Sequence, residues 1–454
     1  MDIKIIPKRL SGTIAAIPSK AFAHRLLIAA ALSDKPGLVQ IGKLSEDIEA
    51  TMRCIEAMGA GVAFETDMGA CNNSLTITPI PKTRAAALML NCGESGSTAR
   101  FLLPLAAHLF DSFEMTGEGK LKSRPFYPIC RTLSDSGYEF FGGALPTTLP
   151  LSGRGKLQAG DFFIEGNISS QFISGLLFAL PLLGAQSRIN ITTPLESAPY
   201  VDMTISVLRL YGIVIQKTAF GFSVPGNQKY HSPGALTVEG DWSNAAFFLC
   251  MGALGGPVSV TGLAPGSTQG DKEVLEILGR FGYVAATMQN TVTTEGAVTL
   301  CDQTTQNASS PQNAGSGGRP KEIEIDASQI PDLIPVLAAV ASVSNTHTRI
   351  CNTSRLRLKE SDRIQSTFDM LSALGANIRL DGDDMIIYGR EKLRGGEVDG
   401  AKDHRIVMAA ATAACACENP VVIRGAEAVG KSYPGFFEDY KALGGEVIDI
   451  SNRE

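Results

Sequence analysis

Two kinds of helical pattern alternate along the chain. The first is amphipathic, with apolar residues recurring at helical spacing, an apolar–x–glycine turn at its end and strand-like residues beyond. It occurs six times, as DIEATMRCIEAMGAGV, PFYPICRTLSDSGYEF, VDMTISVLRLYGIVI, DKEVLEILGRFGYVA, DRIQSTFDMLSALGANI and PGFFEDYKALGGEVIDI, with turn glycines Gly59, Gly137, Gly212, Gly282, Gly375 and Gly444. Glycine is expected there because a chain leaving a helix commonly passes through a left-handed conformation. The second pattern is apolar nearly all round: SKAFAHRLLIAAAL, SGSTARFLLPLAAHLF, SSQFISGLLFALPLL, DWSNAAFFLCMGAL, IPDLIPVLAAVASV and DHRIVMAAATAACA. Each opens with Ser or Asp, which predicts an N-cap, and the all-round apolarity predicts burial. Short β-like runs such as SLTITPI, GALTVEG, RGGEVDG and VVIRG lie between the helices.

The turn glycines are 78, 75, 70, 93 and 69 residues apart. The long interval contains the tract 303–319, QTTQNASSPQNAGSGGR, whose polar low-complexity composition predicts a disordered surface loop. The repeat is therefore one exposed helix, one buried helix and several strands, six times over, an α/β (α+β) architecture. Six units divide as three plus three. The boundaries read from the pattern are 19–237 for one domain and 1–18 with 238–454 for the other.

Bulk composition narrows the function. A chain of 454 residues is too long for one ordinary core, and a net charge of −6 argues against a nucleic-acid or membrane-surface role. No apolar run reaches the length of a membrane span. The opening MDIKIIPKRL has no apolar signal region, and nine cysteines occur without a CxxC pair, as in a reducing cytoplasm. The five histidines are scattered, which gives a metal site little support.

Against this background, RLRLKESDR at 355–363 stands out, with six charged residues in nine positions. Alone it reads as a solvated face. Other cations, however, occupy the starts of the apolar helices: Lys20, Arg25, Arg100 and Arg405. The helix dipole disfavours a cation there unless an anion is bound, and helix starts bind anions well. The pattern predicts a phosphate or carboxylate cleft where the buried helices begin. Residues 425–432, GAEAVGKS, match the P-loop pattern. Only 22 residues follow Ser432, the loop interior is not glycine-rich, and the other five repeats have a turn at the same place, as in LKSRP, LESAP and LKESD. The match is read as an ordinary repeat turn.

The ordered motifs PSKAFAHR (18–25), SGSTAR (95–100), KSRP (122–125), GNISSQF (166–172), ESAPY (196–200), IPD (330–332), LKESDR (358–363), DHR (403–405) and KSYP (431–434) span essentially the whole chain. In this order they resemble the 5-enolpyruvylshikimate-3-phosphate synthases. The resemblance implies the two-domain enolpyruvyl transferase fold, an inside-out α/β barrel of six units. It also implies transfer of the enolpyruvyl group of phosphoenolpyruvate to the 5-hydroxyl of shikimate 3-phosphate, with no metal or organic cofactor. The only partners expected are those two small molecules, and the chain is expected to be monomeric.

By the same resemblance, Lys20, Gly96, Arg124, Gln171, Arg363, Arg405 and Lys431 are expected to hold phosphoenolpyruvate. Shikimate 3-phosphate is expected to meet Lys20, Arg25, Ser169, Ser170, Gln171, Ser197, Tyr200, Asp332 and Lys359. Arginine suits this load because its planar fork engages carboxylate and phosphate at two points. Asp332 is the candidate to take the hydroxyl proton, with Lys20 expected beside it as electrostatic partner or alternative base. Glu360 is the candidate acid and base at C3. Asp362 either orients Arg363 or is a surface charge. Ala21, Glu94 and Arg355 depart from the family's usual residues, and the 303–319 tract has no counterpart. Two other readings share these features. The sister transferase acting on UDP-N-acetylglucosamine typically has a reactive cysteine where this chain has EGKLKSRP, and a non-catalytic anion-binding protein would have little use for Asp332 and Glu360 among its cations.

Overall fold

All six predicted turn glycines adopt left-handed backbone angles, with φ from 78° at Gly212 to 100° at Gly59. In the computed structural model, which describes residues 1–451 apart from 43, 67–72, 82–86, 143–144 and 297–321, each ends one amphipathic helix. These helices are Glu46–Ala57, Tyr127–Asp135, Ala198–Leu210, Val274–Arg280, Arg363–Ala373 and Phe436–Ala442. The 303–319 tract lies outside the described residues.

The apolar helices are Lys20–Ala31, Gly96–Leu109, Ser170–Ala179, Trp242–Leu254, Ile334–Ser342 and His404–Ala414. Capping follows expectation at Ser19, Ser95, Ser169 and Asp403, whose side chains accept from the backbone N–H of Phe22, Thr98, Gln171 and Arg405. The fifth helix corrects it. Leu333 is its N-cap and offers no side-chain bond. Asp332, read as that cap, turns instead toward Lys359 and Arg363.

Six four-stranded sheets are described, all with one strand order, a parallel pair followed by two antiparallel strands. In three of them one continuous stretch supplies the sheet: a buried helix joins the parallel pair, as a parallel connection requires a crossover, and an outer helix then leads into an antiparallel hairpin. Thus Ala87–Asn91 pairs in parallel with Ser112–Thr116 across the Gly96–Leu109 helix, and Leu151–Gly155 and Tyr138–Phe140 add antiparallel. Strands show one inward and one outward face: Leu88 and Leu90 are buried, while Met89 between them is exposed.

The chain resolves into two compact units. One comprises Ile17–Asp241 with Gly266–Gly270; the other comprises Met1–Ala16, Trp242–Pro265 and Asp271–Glu454. In each, three buried helices pack together at the centre. In the first unit, helices Gly96–Leu109 and Ser170–Ala179 approach so closely that a Cβ on Gly175 would strike the Arg100 carbonyl. In the second, the first strands of the chain complete two sheets. Gly12–Ala15 pairs with Val258–Thr261, and Ile3–Ile6 lies between Val421–Arg424 and Glu446–Asp449. No described helix is long and apolar enough to cross a membrane.

Candidate functional site

In the second unit, RLRLKESDR is not a continuous helix start. Ser354–Leu358 forms a 3-10 turn, and the helix begins at Arg363. Asp362 caps that helix by accepting from the N–H groups of Ile364 and Gln365, and it pairs with Arg357 at 2.7 Å. It is a cap and surface partner and does not orient Arg363. That task falls to three other carboxylates. The buried Arg363 guanidinium donates through Nη1 to Asp332 at 2.6 Å, through Nη2 to Glu360 at 2.7 Å, and through Nε to Asp403 at 2.9 Å. Lys359 Nζ shares Asp332 at 3.2 Å.

The charges hold one another in place. Burial pushes the Asp332 carboxyl up, but Lys359, Arg405 and Arg363 outweigh it and hold the group well below the usual carboxylate range. Burial likewise opposes the charge on Asp403, and Arg363 leads the groups that keep it low. The Lys359 ammonium is lowered by burial, against the pull of Asp332. Arg363 is raised, because Asp403, Glu360 and Asp332 outweigh its burial. Such a cluster is expensive to break at one member, because the remaining charges stay buried without compensation.

Asp403 joins this cluster to a helix start. Its Oδ2 accepts from Ser361 Oγ at 2.9 Å, and its Oδ1 accepts from the Arg405 N–H at 3.0 Å. Arg405 donates through Nη1 to the Ser243 carbonyl at 2.9 Å, lies over the Phe247 ring, and keeps a buried Nε without a protein partner. Lys431 ends the 3-10 turn Ala426–Lys431. The next residue, Ser432, reaches Asn244 Oδ1 at 3.4 Å, at the start of the Trp242–Leu254 helix. The same turn disposes of the P-loop match. The N–H groups of Ala426, Ala428 and Ser432 are bonded to backbone carbonyls, so they are not arrayed around a phosphate.

The first unit brings most of its predicted residues to four helix starts. Lys20 begins its helix, and its Nζ donates to Asp47 Oδ2 at 2.9 Å. Gly96 begins another. A Cβ there would lie 2.9 Å from Arg124 Nη1 and 3.2 Å from Arg100 Nη1, so glycine is needed to seat both guanidiniums. Gln171 accepts from Arg100 Nη1 at 2.7 Å and donates to Ser97 Oγ at 2.8 Å, linking the second and third starts. Ser169 and Ser170 are buried at the third. Ser197 is held at φ 54°, an uncommon angle for a residue with a side chain, and caps the helix carrying Tyr200. Arg25 is deeper than a first-turn residue. It donates to Thr204 Oγ1 at 2.7 Å, to the Ala21 carbonyl at 2.6 Å and to the Tyr200 carbonyl at 2.8 Å. With no carboxylate among these partners, burial pushes it down to about 9.

Three groups escaped the sequence reading as site residues: Asp47, Ser361 and Asp403. Ser361 and Asp403 lay inside quoted motifs, and Asp47 inside an amphipathic repeat. Their partners are distant in sequence, so spacing alone gave no sign of their bonds. Among the described residues, no cluster of three or more His, Cys, Asp or Glu side chains is placed to hold a metal ion.

Comparison with known proteins agrees over the whole length. The family profile of EPSP synthase (3-phosphoshikimate 1-carboxyvinyltransferase) matches residues 5–440. A 3-phosphoshikimate 1-carboxyvinyltransferase of Clostridium kluyveri is 41% identical over 453 residues, covering 99% of both chains. That of Clostridium acetobutylicum is 41% identical over 452 residues, again covering 99% of both. Among solved structures, an EPSP synthase from Acinetobacter baumannii superposes with a TM-score of 0.78 at 25% identity, covering 99% of this chain and 100% of the other.

Proposed function

The chain belongs to the EPSP synthase family, and from that premise we propose how its residues divide the work. The reaction itself follows from membership: the enolpyruvyl group of phosphoenolpyruvate is transferred to the 5-hydroxyl of shikimate 3-phosphate, and phosphate is released, in the shikimate pathway.

Both substrates are anions, each with a phosphate monoester of about −1.5 to −2 and a carboxylate. In our reading the first unit gives Lys20, Arg25, Ser169, Ser170, Gln171, Ser197 and Tyr200 to shikimate 3-phosphate, and Lys20, Gly96, Arg124 and Gln171 to phosphoenolpyruvate. The second gives Asp332 and Lys359 to the former, and Arg363, Arg405 and Lys431 to the latter. The observation that carries the assignment is the single buried guanidinium of Arg363, which bonds both Asp332 and Glu360. It fixes the two candidate proton-transfer groups relative to one another.

Asp332, held ionised by three cations, is a weak base toward a free hydroxyl. It becomes adequate as the hydroxyl oxygen bonds to C2 and grows acidic, so the proton moves late in that step. Glu360 delivers a proton to C3, completing the tetrahedral adduct. In the second step C3 returns a proton to Glu360, the C2–O bond to phosphate breaks, the double bond re-forms, and the proton that Asp332 took from the hydroxyl leaves with the phosphate or to water. Phosphate release from phosphoenolpyruvate, with and without shikimate 3-phosphate, tests the scheme. Release must require shikimate 3-phosphate, and Glu360→Gln must abolish turnover while still binding both ligands. Full turnover in that variant would remove Glu360 from the chemistry. We also read the chain as a cytoplasmic monomer, the first half supported by its free cysteines; sedimentation at micromolar concentration checks the second half of that statement.

A further inference from the structure

Beneath the helix starts of the first unit runs a buried chain of hydroxyl groups that the reaction scheme does not use. His24 Nδ1 lies 2.7 Å from Thr51 Oγ1, Thr51 Oγ1 lies 2.6 Å from Thr98 Oγ1, and Thr98 Oγ1 donates to Ser95 Oγ at 2.7 Å. Thr51, Thr98, Ser95 and His24 are all wholly buried. A hydroxyl has one hydrogen to give. The Asp47 carbonyl lies 3.5 Å from both threonine hydroxyls, too far to compete with bonds of 2.6 and 2.7 Å. With Thr98 donating to Ser95, Thr51 donates to Thr98, and His24 donates from Nδ1 to Thr51. Burial keeps the imidazole neutral, pushed down to about 3. Its Nε2 has no partner, and the ring meets Phe101 edge-on.

The placement of these residues repeats. His24 sits one turn below Lys20, Thr51 one turn below Asp47, and Thr98 in the turn that begins at Gly96. Ser95 caps that last helix. The chain therefore ties together three helices just beneath the groups at their starts: the ammonium of Lys20, its carboxylate partner Asp47, and the glycine that seats Arg124.

We propose that Thr51, acting with Thr98 and His24, is a positioning residue for phosphoenolpyruvate: it locks the Lys20, Asp47 and Gly96 helix starts in one register. This rests on the reading that Lys20, Gly96 and Arg124 contact that substrate. The consequence is specific. Removing the Thr51 hydroxyl at constant shape leaves a buried Nδ1–H and a buried Thr98 oxygen each short of a partner. The helix starts relax, and the site for the smaller substrate loosens.

The test uses the full-length enzyme. Thr51→Val should raise the KM for phosphoenolpyruvate roughly 5- to 30-fold, the factor that one or two lost kcal/mol imply, with kcat within twofold and a smaller rise in the KM for shikimate 3-phosphate, which shares only Lys20 of these groups. Thr51→Ser, which keeps the hydroxyl, should restore the wild-type KM. Thr98→Val should reproduce the effect, and the double variant should be no worse than the worse single one, because both act through one chain. Backbone amides of Gly96–Ala99 should exchange hydrogen faster in Thr51→Val. A lower melting temperature with unchanged KM and unchanged exchange would reduce the chain to packing and overturn the proposal. Lys20→Met is the control for the underlying reading. If it leaves the KM for phosphoenolpyruvate unchanged, that reading falls, and exchange at Gly96–Ala99 alone decides the chain: faster upholds it, unchanged overturns it. Should Thr51→Val fail to fold, Thr98→Val carries the same readings.

Discussion

Asp403→Asn is the change whose cost can be worked most fully from the structure. The carboxylate has four bonds: to Arg363 Nε at 2.9 Å, to Arg363 Nη2 at 3.2 Å, to Ser361 Oγ at 2.9 Å and to the Arg405 N–H at 3.0 Å. Asparagine keeps one acceptor oxygen, enough for the helix cap and one arginine bond. Its NH2 then faces Arg363 Nε, donor against donor. Ser361 can turn its hydroxyl to accept instead. One charge-assisted bond to a buried cation is lost, about 1.5–3 kcal/mol. The full penalty of about 3–5 kcal/mol for orphaning a buried ion does not apply, because Arg363 retains Asp332 and Glu360. The expected loss is therefore about 2–3 kcal/mol of stability in the second unit. Trp242, the only tryptophan of the chain, is buried in that unit, so its fluorescence in a urea titration reads the right transition. Because Arg363 loses its Nε bond to the residue that also caps the Arg405 helix, the KM for phosphoenolpyruvate should also rise. A midpoint shift worth less than about 1 kcal/mol, together with an unchanged KM, would refute the reasoning.

Three further outcomes follow from the geometry. Gly96→Ala places a methyl 2.9 Å from Arg124 Nη1; it should raise the KM for phosphoenolpyruvate while leaving that for shikimate 3-phosphate nearly unchanged, as initial-rate kinetics will show. Gly175→Ala drives a Cβ into the Arg100 carbonyl, where neither backbone can yield without moving its helix. Calorimetry should show a loss of about 1–3 kcal/mol, the usual range for overpacking. The acid limb of stability should depend on Asp332. Its folded carboxyl is held below the ordinary 3.8, so it stabilises the fold above that value, and the benefit is lost as pH falls through the folded value. In Asp332→Asn, the drop in urea midpoint below about pH 4 should be shallower than in the wild type; parallel curves would count against the assignment.

The repeat was legible because it is written in local terms. An all-round apolar helix such as LIAAAL must be buried, and a helix ending before Gly375 or Gly444 must turn left-handed there, whatever its neighbours. The cations at the helix starts were legible for the same reason, since the dipole makes them anomalous. What could not be read is what depends on partners far along the chain. Arg363 and Asp403 are 40 residues apart, and Arg100 and Gln171 are 71 apart. Asp332 looked like a cap because caps are the common use of aspartate before a helix; its bonds to Arg363 and Lys359 turn it elsewhere. The GKS match at 430–432 failed in the opposite sense. Its letters were right, but the N–H groups of Ala426, Ala428 and Ser432 are spent on backbone carbonyls.

The placement of Ile3–Ile6 between Val421–Arg424 and Glu446–Asp449 governs the order in which a ribosome can deliver a finished molecule. Nearly the whole of the Ile17–Asp241 unit is one continuous stretch and can begin to fold as it emerges. The opening strand must instead wait for partners made more than four hundred residues later. At about 5–20 residues per second the delay is roughly 20–90 s. Throughout it, an apolar strand with both edges unpaired is exposed to other nascent chains. The early strand is thus the segment for which a chaperone's protection would matter most.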